Sequence, residues 1–506
     1  MSTNHLFHRA WTRFHPRPDV RFDVEINTKN LKDIFDRCDD FELRQLWPAE
    51  HPVSGISVCW LDGVVDGQSV SGDVIRPLTD VFRLAPAKSA KEWIELMERG
   101  AVWSYSVKRR DTMDDLISDI VQGSCAVVFD AEHIAVTFET RTSNTRSISE
   151  PTVEKTVKGS KDAFVETLRI NTSLVRRRVH DPALKLTQGS VGRKSATSVA
   201  VLYIDGVANP ALVEEVRKRI GDIDIDGLIT AGNLEQYITD APQSPFPQLM
   251  HTERPDKFAA ELLTGRVGVL VDGLPLGFIA PAPLAQFMRV NEDNSQHFLI
   301  ASLLTLLRWG SLLVAILLPA LLVAVSMYHQ EMIPYRFMIS MIDAKQKVPF
   351  SVAVEMLSML IAFELLQEAG IRLPNPVGDT VSIIGALIVG QAAVEAQVVS
   401  PAAVIVVAAS GICGFTQPSQ DLTAALRVIR LFMVIMAIAL GMLGIMLTLT
   451  LLVWHLCTID TFGISYCEPL SEKGLFTSLK VFIRIPLWRD IFRPESLDTP
   501  DKRNQK

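Results

Sequence analysis

The chain has 506 residues, a formal net charge of −7, 48% hydrophobic residues and a mean hydropathy of +0.22. That hydropathy is too high for an ordinary soluble protein and too low for a chain that lies in a membrane throughout. The composition also excludes a wholly disordered chain, a collagen-like protein and a small disulfide-linked scaffold.

Charge divides the chain near residue 297. Residues 298–506 contain 15 Lys and Arg and 15 Asp and Glu, whereas residues 1–297 contain 35 bases and 42 acids. The whole net charge therefore belongs to the first part. This division predicts a soluble acidic region followed by a nearly neutral, apolar membrane region.

The first 49 residues lack the continuous apolar segment of a signal peptide, and they include Pro16 and Pro18. We expect residues 1–49 to form a partly disordered extension. Without a signal peptide, the soluble region that follows is expected to stay on the cytoplasmic side of a membrane.

An internal repeat runs through the soluble region. Residues 60–64 (WLDGV) match residues 203–207 (YIDGV) at an offset of 143, and the apolar segment around Asp130 matches the segment around Asp272 at an offset of 142. Two matches at nearly the same offset predict a duplication. Alternating apolar runs, Asp-Gly turns and the helix start at Asn209-Pro210 make each copy an α/β unit.

The predicted fold class is therefore a duplicated α/β cytoplasmic region followed by an α-helical polytopic membrane domain. The two lobes are residues 50–150 and 195–290, and a helical, basic segment over residues 151–194 connects them. This segment includes three consecutive arginines, Arg176, Arg177 and Arg178. They form either a solvated helix face or a contact with a neighbouring subunit or anionic headgroups.

The membrane domain is predicted over residues 298–456. Two runs without a charge, of 20 residues from Trp309 and of 24 from Leu431, are each long enough to cross the ~30 Å hydrocarbon layer. With the apolar stretches between them, the predicted full crossings are residues 306–328, 377–397, 398–416 and 431–455. The acidic segment 351–368 is expected to form a short re-entrant or interfacial helix.

Positive charge predicts the orientation of these helices. The tail over residues 457–506 contains eight bases, so it is expected to be cytoplasmic like the soluble region. Two ends on one side require an even number of crossings. Five crossings, which would put the basic tail outside, are the alternative.

One face of the predicted helix 377–397 changes along its length from branched apolar to polar side chains. A carboxylate in a membrane usually faces a water-filled path or a partner. We predict an apolar gate that closes by dewetting, beside an acidic ring that favours cations. The alternative is a buried helix whose last carboxylate meets water. The residues of this face are Val377, Val381, Ile384, Ile388, Gln391 and Glu395.

A second polar group in the membrane region consists of Glu355, Glu364, Glu368 and Arg372. The last three recur every four residues and so share one helix face, with the acids placed before the base. They form either an ion-paired helix end, or a site of ion entry or subunit contact.

The sequence supports no enzyme activity. It contains no zinc-protease helix, nucleophile elbow or dinucleotide fingerprint. No Cys or His cluster has the spacing of a zinc site. We therefore predict no metal site, no cofactor and no nucleic-acid partner.

Several segments together resemble the A subunits of GerA-type spore germination receptors. The resemblance covers about residues 155–490. Its most specific pieces are residues 171–178 (NTSLVRRR), 252–256 (TERPD), 363–374 (FELLQEAGIRLP) and 385–394 (GALIVGQAAV).

This resemblance implies a multi-pass subunit of a nutrient receptor in the spore inner membrane. Such subunits are expected to form homo-oligomers, with pentamers as the expected form, and to gate monovalent cations. The implied partners are a membrane-embedded B subunit and a C lipoprotein, and no cofactor is implied. A SpoVAF-type accessory paralogue or a non-conducting membrane scaffold is the alternative.

Overall fold

The computed structural model describes residues 21–46, 56–84, 90–100, 106–141, 151, 154, 158–372, 390–470 and 479–504. The described residues up to 297 form two α/β lobes, which we call the head. The helices from residue 298 to residue 458 form the bundle, and residues 459–504 form the tail.

The first lobe is a five-stranded antiparallel sheet in the order β1-β2-β4-β5-β3. Helices α1 and α4 pack on one face of the sheet, and α3 packs on the other. Its elements are α1 (Thr28–Ile34), β1 (Phe41–Leu46), β2 (Ile56–Leu61), α2 (Arg76–Leu84), α3 (Ala90–Glu98), β3 (Val107–Arg110), α4 (Met113–Val121), β4 (Ser124–Phe129) and β5 (Ile134–Glu139).

The second lobe has the same topology, with the strand order β6-β7-β9-β10-β8. The shared order is the arrangement that the sequence repeat predicts. Its elements are α5 (Leu168–Arg176), β6 (Leu184–Val191), β7 (Thr197–Ile204), α6 (Pro210–Gly221), α7 (Ala231–Ile238), β8 (Met250–Thr252), α8 (Pro255–Leu263), β9 (Val267–Val271), β10 (Gly277–Ala280) and α9 (Leu284–Phe287).

Local sequence explains the turns and helix starts of the lobes. Gly63 and Gly206 follow the repeated aspartates and have φ of 82° and 75°, a left-handed conformation that glycine adopts without steric cost. The predicted start of α6 is confirmed, because the Asn209 side chain accepts a hydrogen bond from the Ala211 amide and Pro210 occupies the first turn.

The predicted start of each lobe needs correction, because the first strand of each sheet lies before it. Strand β1 belongs to the first sheet, although residues 1–49 were assigned to an N-terminal extension. Strand β6 belongs to the second sheet, although residues 151–194 were assigned to a connecting segment. Both are edge strands with charged or polar residues among the apolar ones, so the alternation that predicts a strand is weak in each.

The bundle consists of long apolar helices that share a continuous core with the second lobe. Two of them, Phe298–Met327 and Gln420–Leu440, are long and apolar enough to cross a membrane by length and composition. The helices are α10 (Phe298–Met327), α11 (Tyr335–Gln346), α12 (Val352–Arg372), α13 (Pro401–Phe415), α14 (Gln420–Leu440) and α15 (Met442–Thr458).

Contacts at the helix ends define a head side and a far side of the bundle. Near its start, α10 is held to the head by a bidentate pair between Arg308 and Asp293. At the other end, the Tyr328 hydroxyl donates to the Ile438 carbonyl near the end of α14, at 2.6 Å. Helices α10 and α14 therefore both run from the head side to the far side.

The predicted crossing 431–455 is not one helix. It is divided at Gly441, which has φ 62° and ψ −136°, and α15 returns to the head, where His455 Nε2 lies 2.9 Å from Ser244 Oγ. A Cβ on Gly444 would lie 2.0 Å from the Met436 carbonyl oxygen, so α14 and α15 form a close antiparallel hairpin.

The other three predicted membrane segments have different outcomes. Residues 351–368 were expected to form a short helix, but α12 has 21 residues, about 31 Å at the usual rise, and packs inside the bundle. The crossing predicted at 398–416 corresponds to α13, which Ser400 caps. Most of the crossing predicted at 377–397 lies outside the described residues, and residues 390–395 are helical.

Candidate functional site in the helical bundle

A chain of polar contacts connects four helices of the bundle. Glu364 on α12 pairs with Arg430 on α14, and Arg430 Nη1 donates to Ser410 Oγ on α13 at 3.2 Å. Ser410 in turn donates to the Ala315 carbonyl on α10 at 2.7 Å. Arg430 and Ser410 are buried, so this network is enclosed by apolar helices.

Apolar contacts surround the network closely. The Arg430 guanidinium lies 6.0 Å from the centre of the Phe363 ring, within the range of a cation–π contact. The same ring packs on Gly411, where an added Cβ would lie 2.3 Å from it. Arg427 and Gln367 line a small cavity next to Arg430, and Arg427 Nε lies 3.6 Å from Glu364 Oε2. The helix positions are therefore set by both packing and charge.

Glu355 forms a separate buried contact on the far side of the bundle. Its carboxylate pairs with Lys345 of α11 and accepts from the Ser400 amide at 3.0 Å. Ser400 is the N-cap residue of α13. One carboxylate thus holds three segments together, as expected for a buried charge that has found both an ion pair and a hydrogen bond.

The structure thus separates the predicted polar group. Glu355 and Glu364 lie in different contacts, and Glu364 pairs with Arg430 and Arg427 of α14. Glu368 is exposed and has a partner of its own, and the side chain of Arg372 lies outside the described residues. Sequence reasoning missed Arg430. This base directly precedes the apolar run that begins at Leu431, and that position is the signal that could have located it.

Only the end of the predicted pore face is described. Gln391 Nε2 donates to Glu395 Oε1 at 3.1 Å, so these two side chains lie one turn apart on one exposed helix face. Val377, Val381, Ile384 and Ile388 lie outside the described residues.

The predicted role of Arg176 is corrected. Arg176 is fully buried, and its Nε and Nη2 donate to the two carboxylate oxygens of Asp40, each at 2.8 Å. Its Nη1 donates to the Leu184 carbonyl at 2.7 Å. Burial alone would lower the pKa of Arg176, but the Asp40 carboxylate raises it above its usual value. A buried, paired guanidinium cannot reach headgroups or a neighbouring subunit.

The other two arginines of the triplet differ from Arg176. Arg178 is exposed and pairs with Asp162 at 2.6 Å, while Arg177 is half-buried and also has a partner. A contact with another subunit or with headgroups stays a prediction for these two residues.

The chain matches the family model described as "Bacillus/Clostridium GerA spore germination protein" over residues 29–496. It is 37% identical to the uncharacterized membrane protein YfkQ of Bacillus subtilis (strain 168), over 92% of this chain and 90% of that protein. It is 35% identical to spore germination protein KA of the same organism, over 92% of this chain and 85% of that protein.

Two further comparisons concern a third relative and a solved structure. Stage V sporulation protein AF of Bacillus subtilis (strain 168) is 30% identical, over 82% of this chain and 83% of that protein. The crystal structure of the N-terminal domain of the A subunit of the Bacillus megaterium spore germinant receptor GerK3 is 29% identical. It covers 52% of this chain and 98% of that domain, with a TM-score of 0.40.

Proposed function

The chain belongs to the GerA family of spore germination proteins, and from that premise we propose that it is the A subunit of a nutrient-germinant receptor in the spore inner membrane. In this proposal the subunit forms a homo-oligomer, with pentamers as the expected form, and opens to monovalent cations when germination starts. A membrane-embedded B subunit and a C lipoprotein are its proposed partners.

The orientation of the bundle ends supports a membrane domain with an even number of crossings. Both the start of α10 and the end of α15 contact the head. The tail also stays on this side, because Arg484 donates to backbone carbonyls of Asp293 and Gln296. A chain that enters and leaves the bundle on one side crosses an even number of times. We propose that the head and the basic tail are both cytoplasmic.

The observation that carries the proposed channel function is the network from Glu364 through Arg430 and Ser410 to Ala315. Buried charges are costly in an apolar bundle and commonly mark functional positions in membrane proteins. Because the network joins four helices, a shift of one helix must break or rearrange at least one of its polar contacts. We propose that it holds the closed arrangement of the bundle.

The proposed conduction path is lined by the pore face of residues 377–397. Gln391 and Glu395 are exposed in the single chain, so their side chains are free to face a lumen in an oligomer. Glu395 would then contribute one carboxylate per subunit to a ring that favours cations. The apolar residues Val381 and Ile384 would form the gate.

Spores that carry this chain as their only family A subunit provide the test. Spores with the Val381→Ala or Ile384→Ala variant should release potassium and germinate without nutrient, because smaller side chains widen an apolar constriction. Ile405→Ala is the matched control, since Ile405 is a bundle isoleucine with 67% of its surface exposed. Dormancy and potassium retention equal to wild type in both gate variants would refute the proposed gate.

The similarity to stage V sporulation protein AF supports a second candidate function, that of an accessory member of the germination apparatus. In this second proposal the chain either conducts without sensing nutrient or organises other membrane proteins without conducting. Neighbouring genes for B and C subunits would favour the receptor. A neighbouring operon for a dipicolinate channel would favour the accessory role.

A further inference from the structure

Three side chains from three separate elements meet where the head contacts the beginning of α14. Glu235 lies on α7, His251 on β8, and Asp421 in the first turn of α14. His251 Nδ1 is 3.1 Å from Asp421 Oδ2 and 3.9 Å from Glu235 Oε1. One oxygen or nitrogen from each residue lies within 4.8 Å of those of the other two.

The charges around this point favour a bound cation. Asp421 and Glu235 both approach the His251 imidazole, and each can supply a negative charge. Two carboxylates therefore crowd one imidazole, and Glu154 adds a third negative charge nearby, although Lys257 pairs with it.

The distances also suit a small metal ion. Nitrogen and oxygen ligands lie about 2.0–2.2 Å from Zn²⁺, which places neighbouring ligand atoms of a tetrahedral site about 3.3 Å apart. The observed separations of 3.1 and 3.9 Å are close to this value. The side chains are 33–42% exposed, which leaves an entry path and room for a water ligand.

We propose that Glu235, His251 and Asp421 bind one divalent transition-metal ion of the Zn²⁺ class, and that this ion fastens α14 to the head. An imidazole ligand favours such a metal over Ca²⁺ or Mg²⁺, which prefer sites made of oxygen ligands alone. The Asp421 carboxylate is not needed to cap α14, because the Ser419 side chain caps the helix.

The position of the site gives the bound ion a mechanical consequence. Asp421 lies nine residues before Arg430 on the same helix, and Arg430 is the centre of the buried network. An ion that ties Asp421 to β8 and α7 fixes this end of α14 relative to the head. Metal occupancy would therefore control how readily α14 moves, a form of regulation separate from nutrient sensing.

Zinc titration of the metal-stripped full-length chain in detergent, followed by isothermal calorimetry, tests this site. Wild type should bind one more equivalent of Zn²⁺ than His251→Gln or Asp421→Asn. At this site the variants should lose more affinity than the roughly 10- to 100-fold that loss of an outer partner costs. His180→Gln is the matched control, because His180 is an exposed head histidine away from the cluster, and it should bind as wild type.

Zn²⁺ binding at other histidines, such as His5, His8 and His15, is common to wild type and the variants, so it cancels when their titrations are compared. Equal stoichiometry and affinity in wild type, His251→Gln and Asp421→Asn would overturn the proposal. Saturable Ca²⁺ binding without Zn²⁺ binding would also overturn it. If His251→Gln fails to fold, Asp421→Asn alone still decides the result. In addition, a chelator should lower the melting temperature of wild type and leave that of Asp421→Asn unchanged.

Discussion

At the scale of single residues, the buried pair of Arg176 and Asp40 links the two lobes. Asp40 lies just before β1 of the first lobe, and Arg176 ends α5 of the second. The Asp39 amide also donates to the Leu186 carbonyl, so the same segment joins the edge of the second sheet. The consecutive arginines thus have unlike roles, which their sequence cannot distinguish because the partner that buries Arg176 lies 136 residues away.

Removing one member of this pair should be costly. We predict that Arg176→Met lowers the free energy of unfolding by about 3–5 kcal/mol, because it leaves the Asp40 carboxylate buried without its partner. Denaturant unfolding of the full chain in detergent measures this change. Arg178→Met is the control, since an exposed pair is worth about 0–1 kcal/mol. Equal losses in the two variants would contradict the assignment.

At the scale of elements, the sequence predicts the buried strands and their repeat well. It does not predict the edge strands of the sheets or the break between α14 and α15. Strands β2, β4, β7 and β9 are continuous apolar runs, and such runs are the clearest strand signal. Strand β1 reads FELRQL and is only half-buried, so its pattern is ambiguous. The break at Gly441 lies inside an uncharged run of 24 residues, where a glycine alone does not distinguish one helix from two.

Two glycines on α13 allow the packing of this element to be tested. We predict that Gly411→Ala disrupts the bundle at a cost of about 1–3 kcal/mol, because the added methyl group would overlap the Phe363 ring. Gly414→Ala, one turn away, has no atom within 4 Å of the added group and should be tolerated. Melting temperatures of the two variants in detergent give the comparison. A larger loss for Gly414→Ala would show that α12 and α13 pack differently.

At the scale of the whole molecule, both the buried network of the bundle and the proposed metal site depend on contacts that no local motif encodes. Glu364 and Arg430 are 66 residues apart, and Asp421 lies 170 residues after His251. Sequence spacing can place Glu364 on a helix face, but it cannot show which helix packs against that face. The repeat, the family and the presence of long apolar helices could be predicted from the sequence, whereas the pairing of the bundle helices required the fold.

The orientation of the whole chain leads to a labelling prediction. Cysteines are introduced one at a time at Glu331, in the far-side turn after α10, and at Gly463, in the head-side hairpin after α15, in a background without native cysteines. In sealed membranes of known orientation, an impermeant thiol reagent should label position 331 from outside and position 463 only from the cytoplasmic side. Labelling of position 463 from outside would contradict the even number of crossings, and labelling of position 331 only from the cytoplasmic side would contradict the crossing by α10.

The central proposal is that this chain forms a path selective for cations through the face that carries Glu395. The most direct test is the reversal potential of the purified chain with its proposed B and C partners in a planar bilayer under a potassium chloride gradient. We predict a reversal potential close to that of potassium in wild type and in the tail control Glu495→Gln. Glu395→Gln should shift it toward zero. The absence of any conductance, or a Glu395→Gln reversal potential equal to that of wild type, would contradict the account.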